Sequence, residues 1–313
     1  MKNILVFGAN GFLGKNLIKS LNSYSNFENI YELNGKNDLD LTNYKELDNF
    51  LSNRKIDSII NCAAFVGGIS YGYEFPAELI DINTTMANNL FKASQINNVK
   101  LLINPISNCA YPGNQTLYQE ENFWDGPPHE SVLEYGLSKR HYVSLGSAYY
   151  KQYRFSSVNL VLSNMYGPFD HFEEKRSHAL GALLKKIYYA KVNNLDSIQI
   201  WGSGKPIREW LYVEDAVTAL IKSLELKNGF YFFNIGVNFG ISILDLAKII
   251  AKELDWKGEF KFDLTKPDGV AEKRVLGETS IKFLDWSPNV KLEDGIRNTV
   301  QWYIENNEDY LNG

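Results

Sequence analysis

The stretch Asn3-Ile-Leu-Val-Phe-Gly8-Ala-Asn-Gly11-Phe-Leu-Gly14 decides the fold. Asn3 to Gly8 is apolar, short and stopped by glycine, so it reads as a buried first strand. A helix to about Leu21 follows at once. Glycines at 8, 11 and 14 give Gly-x-x-Gly-x-x-Gly. Between a strand and a helix, the first glycine permits a tight turn and the second lets backbone approach a pyrophosphate. The third lets the helix pack closely on the strand. The helix N-terminus then presents free N–H groups to the phosphates. The expected dinucleotide cradle is Gly8, Asn10, Gly11, Phe12, Leu13 and Gly14.

Outward from this unit, strands and helices alternate. Strands are expected at about Ile30–Leu33, Asp57–Asn61, Lys100–Asn104 and Ser156–Leu162. Helices are expected near Tyr44–Leu51, Pro76–Asn97 and around Tyr135. This order predicts an α/β protein with a Rossmann-like, doubly wound parallel sheet. From Tyr166 the pattern changes. A helix opens at His178 and carries Lys185 and Lys186. Ile198–Gly204 and Arg208–Val213 read as a hairpin. A helix from Val213 and a strand at Phe230–Asn234 return to the main sheet. The tail from Ile241 mixes helices with one strand and the loop Lys266-Pro-Asp-Gly269. Residues 1–165 with 213–235 are thus expected to bind the dinucleotide, and 166–212 with 236–313 to form a smaller mixed α/β substrate-binding lobe.

At 313 residues, the chain can bury a large core. Its net charge of −5 argues against a general nucleic-acid binder. No apolar run approaches the ~20 residues needed to cross a bilayer, so no membrane span is expected. The N-terminus runs straight into the glycine pattern and reads as a strand, not a signal peptide. Cys62 and Cys109 are the only cysteines. Neither a disulfide framework nor a cysteine metal site is expected, and a cytoplasmic setting is the default.

Carbonyl chemistry is written between Ser107 and Lys139. Tyr135 and Lys139, four residues apart, share a helical face. The lysine cation is expected to lower the phenol's pKa and make it a proton donor and acceptor. The Ser107 hydroxyl can hold a carbonyl oxygen beside that phenol. Ala63 and Ala64, small residues after a strand, would let a cofactor lie against backbone. Asn83 is expected either to face the site or to cap and solvate its helix. Glu32 in the second strand would favour NAD(H) and Lys36 in the loop beyond it NADP(H). The loop position favours Lys36, hence NADP(H). Of the other histidines, His129, His141 and His171 read as solvated.

Together these residues resemble the extended short-chain dehydrogenase/reductase family of sugar-nucleotide epimerases and dehydratases. The resemblance covers nearly the whole chain. It rests on the glycine turn, Ala63-Ala64 with Val66-Gly-Gly-Ile69, and Ser107-x-Cys109-x-Tyr-Pro112. It continues through Tyr135-x-x-x-Lys139, Asn164-x-Tyr-Gly-Pro168, Ser177-His178 and Ala182-Leu-Leu-Lys-Lys186. Trp201-Gly-Ser-Gly-x-Pro-x-Arg208-Glu209, Lys266-Pro-Asp-Gly269 and Gln301-Trp302 complete it. Cys109 with His178 points to the branch that works on GDP-4-keto-6-deoxy sugars.

The resemblance implies C3/C5 epimerisation with Cys109 as base and His178 as acid, then NADPH-dependent reduction at C4. Ser107 and Tyr135 would bond the C4 oxygen, with Lys139 behind the phenolate and the cofactor ribose. Asn164, Lys186, Trp201, Arg208, Lys266 and Lys273 would contact the GDP-sugar. It also implies a homodimer through helices near 86–98 and 135–150. Phe65, Asn108, Lys36 and the charged segment 169–176 depart from the family pattern. Phe65 and that segment could line the sugar and admit a heptose. Rival readings are a C4 reductase without epimerisation, a 4-epimerase or dehydratase with tightly bound NAD, and a non-catalytic cofactor-binding regulator.

Overall fold

A computed structural model describes residues 2–66, 69–173, 179–266, 268 and 270–306. The first half runs β1 (Lys2–Phe7), α1 (Phe12–Leu21), β2 (Phe27–Leu33), α2 (Tyr44–Ser52), β3 (Ser58–Asn61), α3 (Ile69–Glu74), α4 (Pro76–Ile96), β4 (Leu101–Ser107), β5 (Leu117–Tyr118) and α5 (Leu133–Tyr153). Next come β6 (Ser156–Leu162), β7 (Asn164–Tyr166), α6 (Ala179–Val192), β8 (Ser197–Trp201), β9 (Ile207–Tyr212), α7 (Val213–Ser223) and β10 (Phe230–Ile235). The chain ends with β11 (Gly240–Ser242), α8 (Ile243–Glu253), β12 (Glu259–Asp263), β13 (Glu272–Val275), α9 (Glu278–Leu284) and α10 (Leu292–Glu305).

The main sheet is parallel, in the order β10-β6-β4-β3-β1-β2. Its inner strands β1, β3, β4 and β6 are buried on both faces because helices cover both. One face packs on α2, α4 and α5 through residues such as Leu47, Leu90, Phe91 and Tyr142. The other packs on α1 and α7 through Leu17, Leu21, Val217 and Leu220. The strand order reverses between β1 and β3, so a crevice opens at their carboxyl ends. The expected doubly wound sheet is present.

A second, mixed sheet has five strands in the order β11-β9-β13-β5, with β7 also paired to β9. It borders a third core in which α6, α8 and α10 surround Trp210, Tyr212 and Tyr303.

Two local expectations are corrected. β8 and β9 do not form a hairpin: β8 pairs in parallel with β12, while β9 lies inside the mixed sheet. Their burial explains it. β8 alternates and covers one face only, whereas Glu209 to Tyr212 are all buried, as a central strand requires. Among the described residues, the tail holds three strands, not one. All three are short, and β12 and β13 are charged (Glu259-Phe-Lys-Phe-Asp263, Glu272-Lys-Arg-Val275), so hydrophobic period 2 is faint.

Candidate active site

The glycine turn forms the floor of the crevice. Gly8 has φ +71, and a Cβ there would lie 2.7 Å from the Ala63 nitrogen. A Cβ on Gly14 would lie 2.0 Å from the Gly8 oxygen, so only glycine lets α1 start so close to β1. Leu13 is buried and Phe12 packs on the same core, leaving backbone at Asn10 to Leu13 as the presented surface. The first turn of α1 carries no acid. Its positive end therefore stays available to an anion. These features fit the pyrophosphate of a dinucleotide.

Gly8 and Ala9 N–H groups donate to the Leu33 carbonyl at 2.9 and 3.3 Å. That ties the end of β2 to the glycine turn and sets Lys36 in the adjoining loop. Lys36 is exposed, its Nζ 4.0 Å from Asp40 Oδ2. Glu32 lies within β2 and is also exposed. Across the crevice, Asn61 Oδ1 accepts from the Ala63 N–H at 3.3 Å, and Ala64 follows. Asn83 does neither thing expected of it. It is fully buried, donating to the carbonyls of Phe65 and Leu79 and accepting the Phe65 N–H, so it fixes the loop after β3.

β4 ends at Ser107, whose Oγ accepts the Cys109 N–H at 3.2 Å and caps the single turn Asn108–Ala110. α5 meets that turn at Gly136, where a Cβ would lie 2.5 Å from the Cys109 carbonyl oxygen. One turn further on, Arg140 donates Nε to the Ala110 carbonyl at 2.6 Å. The same helix carries Tyr135 and Lys139, so Cys109 and the Tyr/Lys pair meet. Lys139 Nζ is 5.4 Å from the Tyr135 ring centre and 5.2 Å from that of Tyr142.

The electrostatics reverse the expected direction of tuning. Burial pushes the Tyr135 phenol up, and the nearby Cys109 charge adds to this. Burial pulls Lys139 down to about 8, against a smaller upward pull from Cys62. The protein alone desolvates both groups more than the lysine assists the tyrosine. Burial likewise pushes the Cys62 thiol up to about 12, against the Lys139 charge. Cys62 stays a packed thiol.

Among the residues expected to meet the substrate, Lys186 from α6 and Lys266 place their Nζ atoms 5.1 and 5.4 Å from the ring centre of Trp201, which is 58% exposed. Asp268 accepts the N–H and hydroxyl of Ser203 at 2.5 and 2.7 Å and so fastens that loop beside Trp201. Arg208 on β9 stands opposite Lys273 on β13. Burial pulls Lys273 below its ordinary value, Cys109 opposes this and the neighbouring Arg208 cation adds to it. Asn164 joins these parts: its Oδ1 accepts from Asn108 Nδ2 at 3.3 Å and its Nδ2 donates to the Glu209 carbonyl at 3.1 Å. His178 lies outside the described residues, as do residues 67–68 and 174–177. Asn16 Nδ2 donates to the Pro168 carbonyl at 2.9 Å and ties the segment after β7 to α1.

Glu209 was not anticipated beyond its place in a motif. It is fully buried, and its carboxylate accepts N–H groups from Val237, Asn238 and Val275. Burial raises it to about 7 despite these donors. An acid inside an apolar strand was the available signal. Arg140 was also missed, since a cation beside Lys139 reads as helix surface. Two histidines are engaged rather than solvated: His129 caps a turn at Ser131, and His141 Nε2 lies 2.8 Å from Asn88 Oδ1. His171 is exposed.

Residues 4–236 match the NAD dependent epimerase/dehydratase family. A GDP-L-fucose synthase from Sinorhizobium fredii is 35% identical over 309 residues, covering 98% of this chain and 97% of that one. A GDP-L-fucose synthetase structure from Naegleria fowleri bound to NADP aligns with TM-score 0.87 at 27% identity, covering 98% and 95% of the two chains. A GDP-6-OMe-4-keto-L-xylo-heptose reductase from C. jejuni aligns with TM-score 0.87 at 25% identity, covering 97% and 98%.

Proposed function

The chain belongs to the NAD dependent epimerase/dehydratase family, and from that premise we propose that it epimerises and reduces a GDP-4-keto-6-deoxy sugar using NADPH. The observation that carries this reading is the contact of the Cys109 turn with α5 at Gly136. It sets a thiol beside the Tyr135–Lys139 pair within one crevice.

The Gly8–Gly14 turn and the start of α1 hold the cofactor pyrophosphate, and Lys36 meets the ribose phosphate. NADP(H) as cofactor is supported by the cradle and by the NADP-bound relative of like fold. When bound, NADPH supplies the hydride for C4. Ser107 and Tyr135 bond the C4 oxygen. That bonding stabilises the enolate formed when a C3 or C5 proton leaves. Cys109 takes that proton, and His178 returns one to the opposite face. In the reduction Tyr135 gives its proton to the C4 oxygen, and Lys139 steadies the phenolate left behind. Asn164 bears on the sugar beside the Cys109 turn. Trp201 stacks against the nucleotide, with Lys186, Lys266, Arg208 and Lys273 supplying cations for the diphosphate. A homodimer through α4 and α5 and a cytoplasmic location belong to the same reading. The two helices pack together and expose Ile96, Leu137 and Tyr153, and both cysteines are free.

The test is turnover of GDP-4-keto-6-deoxy-mannose with NADPH in deuterated water. The reading requires a reduced product with deuterium at C3 and C5. NADPH oxidation without that label would reduce the function to C4 reduction, a second reading favoured by the likeness to the C. jejuni reductase. Copurified, unreleased NAD would instead favour a 4-epimerase.

A further inference from the structure

The turn that carries Cys109 is three residues long and cannot hold its own position. Ser107 and Asn164 grip it from β4 and β7. From α5 the grip is Gly136 below and Arg140 above, one helical turn apart. Those two residues follow Tyr135 and Lys139 by one position each. They therefore form a stripe rotated by about 100° from the Tyr/Lys stripe on the same helix. One stripe serves the phenol and the other faces the thiol's turn.

Arg140 is an unusual residue to find there. It is 8% exposed, lies over the rings of Phe123 and Trp124 at 5.4 and 5.6 Å, and keeps a buried Nη2 without a partner. Among the described residues no carboxylate forms an ion pair with it. Burying a guanidinium so incompletely satisfied opposes stability. Its Nε hydrogen bond goes to the residue after Cys109. A fixed, planar donor on a rigid helix sets direction as well as distance.

We propose that Arg140 is a positioning residue that holds the Cys109 thiol at the distance from Tyr135 needed for proton removal at C3 and C5. This deepens, and rests on, the reading of Cys109 as the epimerisation base. Reduction depends on groups that α5 and β4 carry directly, so it is less sensitive to this contact.

The experiment compares wild type with Arg140→Met and Arg140→Lys. Methionine keeps the apolar stem and removes the donor. Lysine keeps a cation without the planar fork. Deuterium wash-in is measured on GDP-4-keto-6-deoxy-mannose without NADPH, and NADPH oxidation on the epimerised ketone. In a third arm, iodoacetamide labels Cys109, read peptide by peptide, with Cys62 as internal reference. A misplacement of the order of 1 Å is expected to lower the ratio of exchange to reduction by about tenfold or more in Arg140→Met, with Arg140→Lys between it and wild type. Cys109 should label at least about threefold faster, since its turn is no longer pinned, while Cys62 keeps its rate. Equal losses of exchange and reduction, with an unchanged Cys109 labelling rate, would overturn the proposal and leave Arg140 a packing residue. A wild type that exchanges no deuterium would sink the base reading instead. The labelling arm would then still decide whether Arg140 holds the turn.

Discussion

Five strands of the parallel sheet come from the first 162 residues, each pair joined by a local crossover, whereas the mixed sheet gathers strands lying anywhere from residue 117 to residue 275. The glycine turn belongs to the first construction. Its close contacts are backbone on backbone, Gly14 against Gly8 and Gly8 against Cys62 and Ala63. Arg208, Lys273 and Asn164 belong to the second: the β9–β13 ladder sets the two cations opposite one another, and Asn164 is held by side-chain bonds that reach across the chain. Glu209 binds a backbone N–H 66 residues away, and Asn108 reaches Asn164 over 56. The glycine turn is thus fixed by backbone packing. The mixed-sheet end depends on its polar braces as well.

The largest expected effect lies at the seam between the two. Tyr135→Phe should lower C4 reduction by about 10²–10⁴-fold, the usual worth of a positioned acid, while deuterium exchange falls less because Ser107 still bonds the C4 oxygen. Single-turnover NADPH oxidation beside exchange NMR would show it, and equal loss of both would mean that the phenol serves the enolate as much as the reduction.

Next is pH. Lys139 is pulled down to about 8 in the protein alone, so kcat/KM for reduction should fall about tenfold per unit as pH rises beyond that value and the ammonium is lost. The stability sign is opposite. A lysine depressed below its ordinary value of 10.5 favours the fold above that value, and this contribution is lost as pH falls through about 8. The protonation state that works is the one that folding disfavours. A flat profile to pH 9 would reject Lys139 as the titrating group.

Glu209→Gln and Gly14→Ala then probe the two constructions against each other. In Glu209→Gln the new side-chain amide places a donor against backbone N–H groups, which should cost about 1–3 kcal/mol in urea unfolding and raise the KM for the GDP-sugar more than that for NADPH. Gly14→Ala pushes a methyl into the Gly8 carbonyl, which should cost a similar ~1–3 kcal/mol and raise the KM for NADPH more. Swapped effects would break the contrast. The smallest effect is expected at exposed Lys36. Lys36→Ala should weaken NADPH by about threefold to tenfold and leave NADH unchanged.

How much of this was legible follows the same division. β1, the glycine turn and α1 lie in one continuous run, and the apolar strands announced themselves by composition. Tyr135 and Lys139 were readable because helix geometry turns spacing into contact. β13 was not, since Glu272-Lys-Arg is a strand only because β9 and β5 flank it. The braces were hidden for the same reason: no local pattern tells that the carboxylate of Glu209 meets Val275. The Tyr135 phenol went the wrong way because spacing reports a neighbouring charge and says nothing about burial, which outweighs it here.

The place of β13 between β9 and β5 also bears on the protein's birth. A ribosome delivers the chain from residue 1 onward, and domains fold as their segments emerge. The glycine turn and most of the parallel sheet are complete once residue 162 is out, and the sheet closes with β10 at residue 235. Lys273, and the Val275 N–H that Glu209 awaits, arrive last. A nascent or truncated chain can therefore have a coenzyme cradle before it has a finished substrate site, so the capacity to sequester cofactor precedes the capacity to transform a sugar.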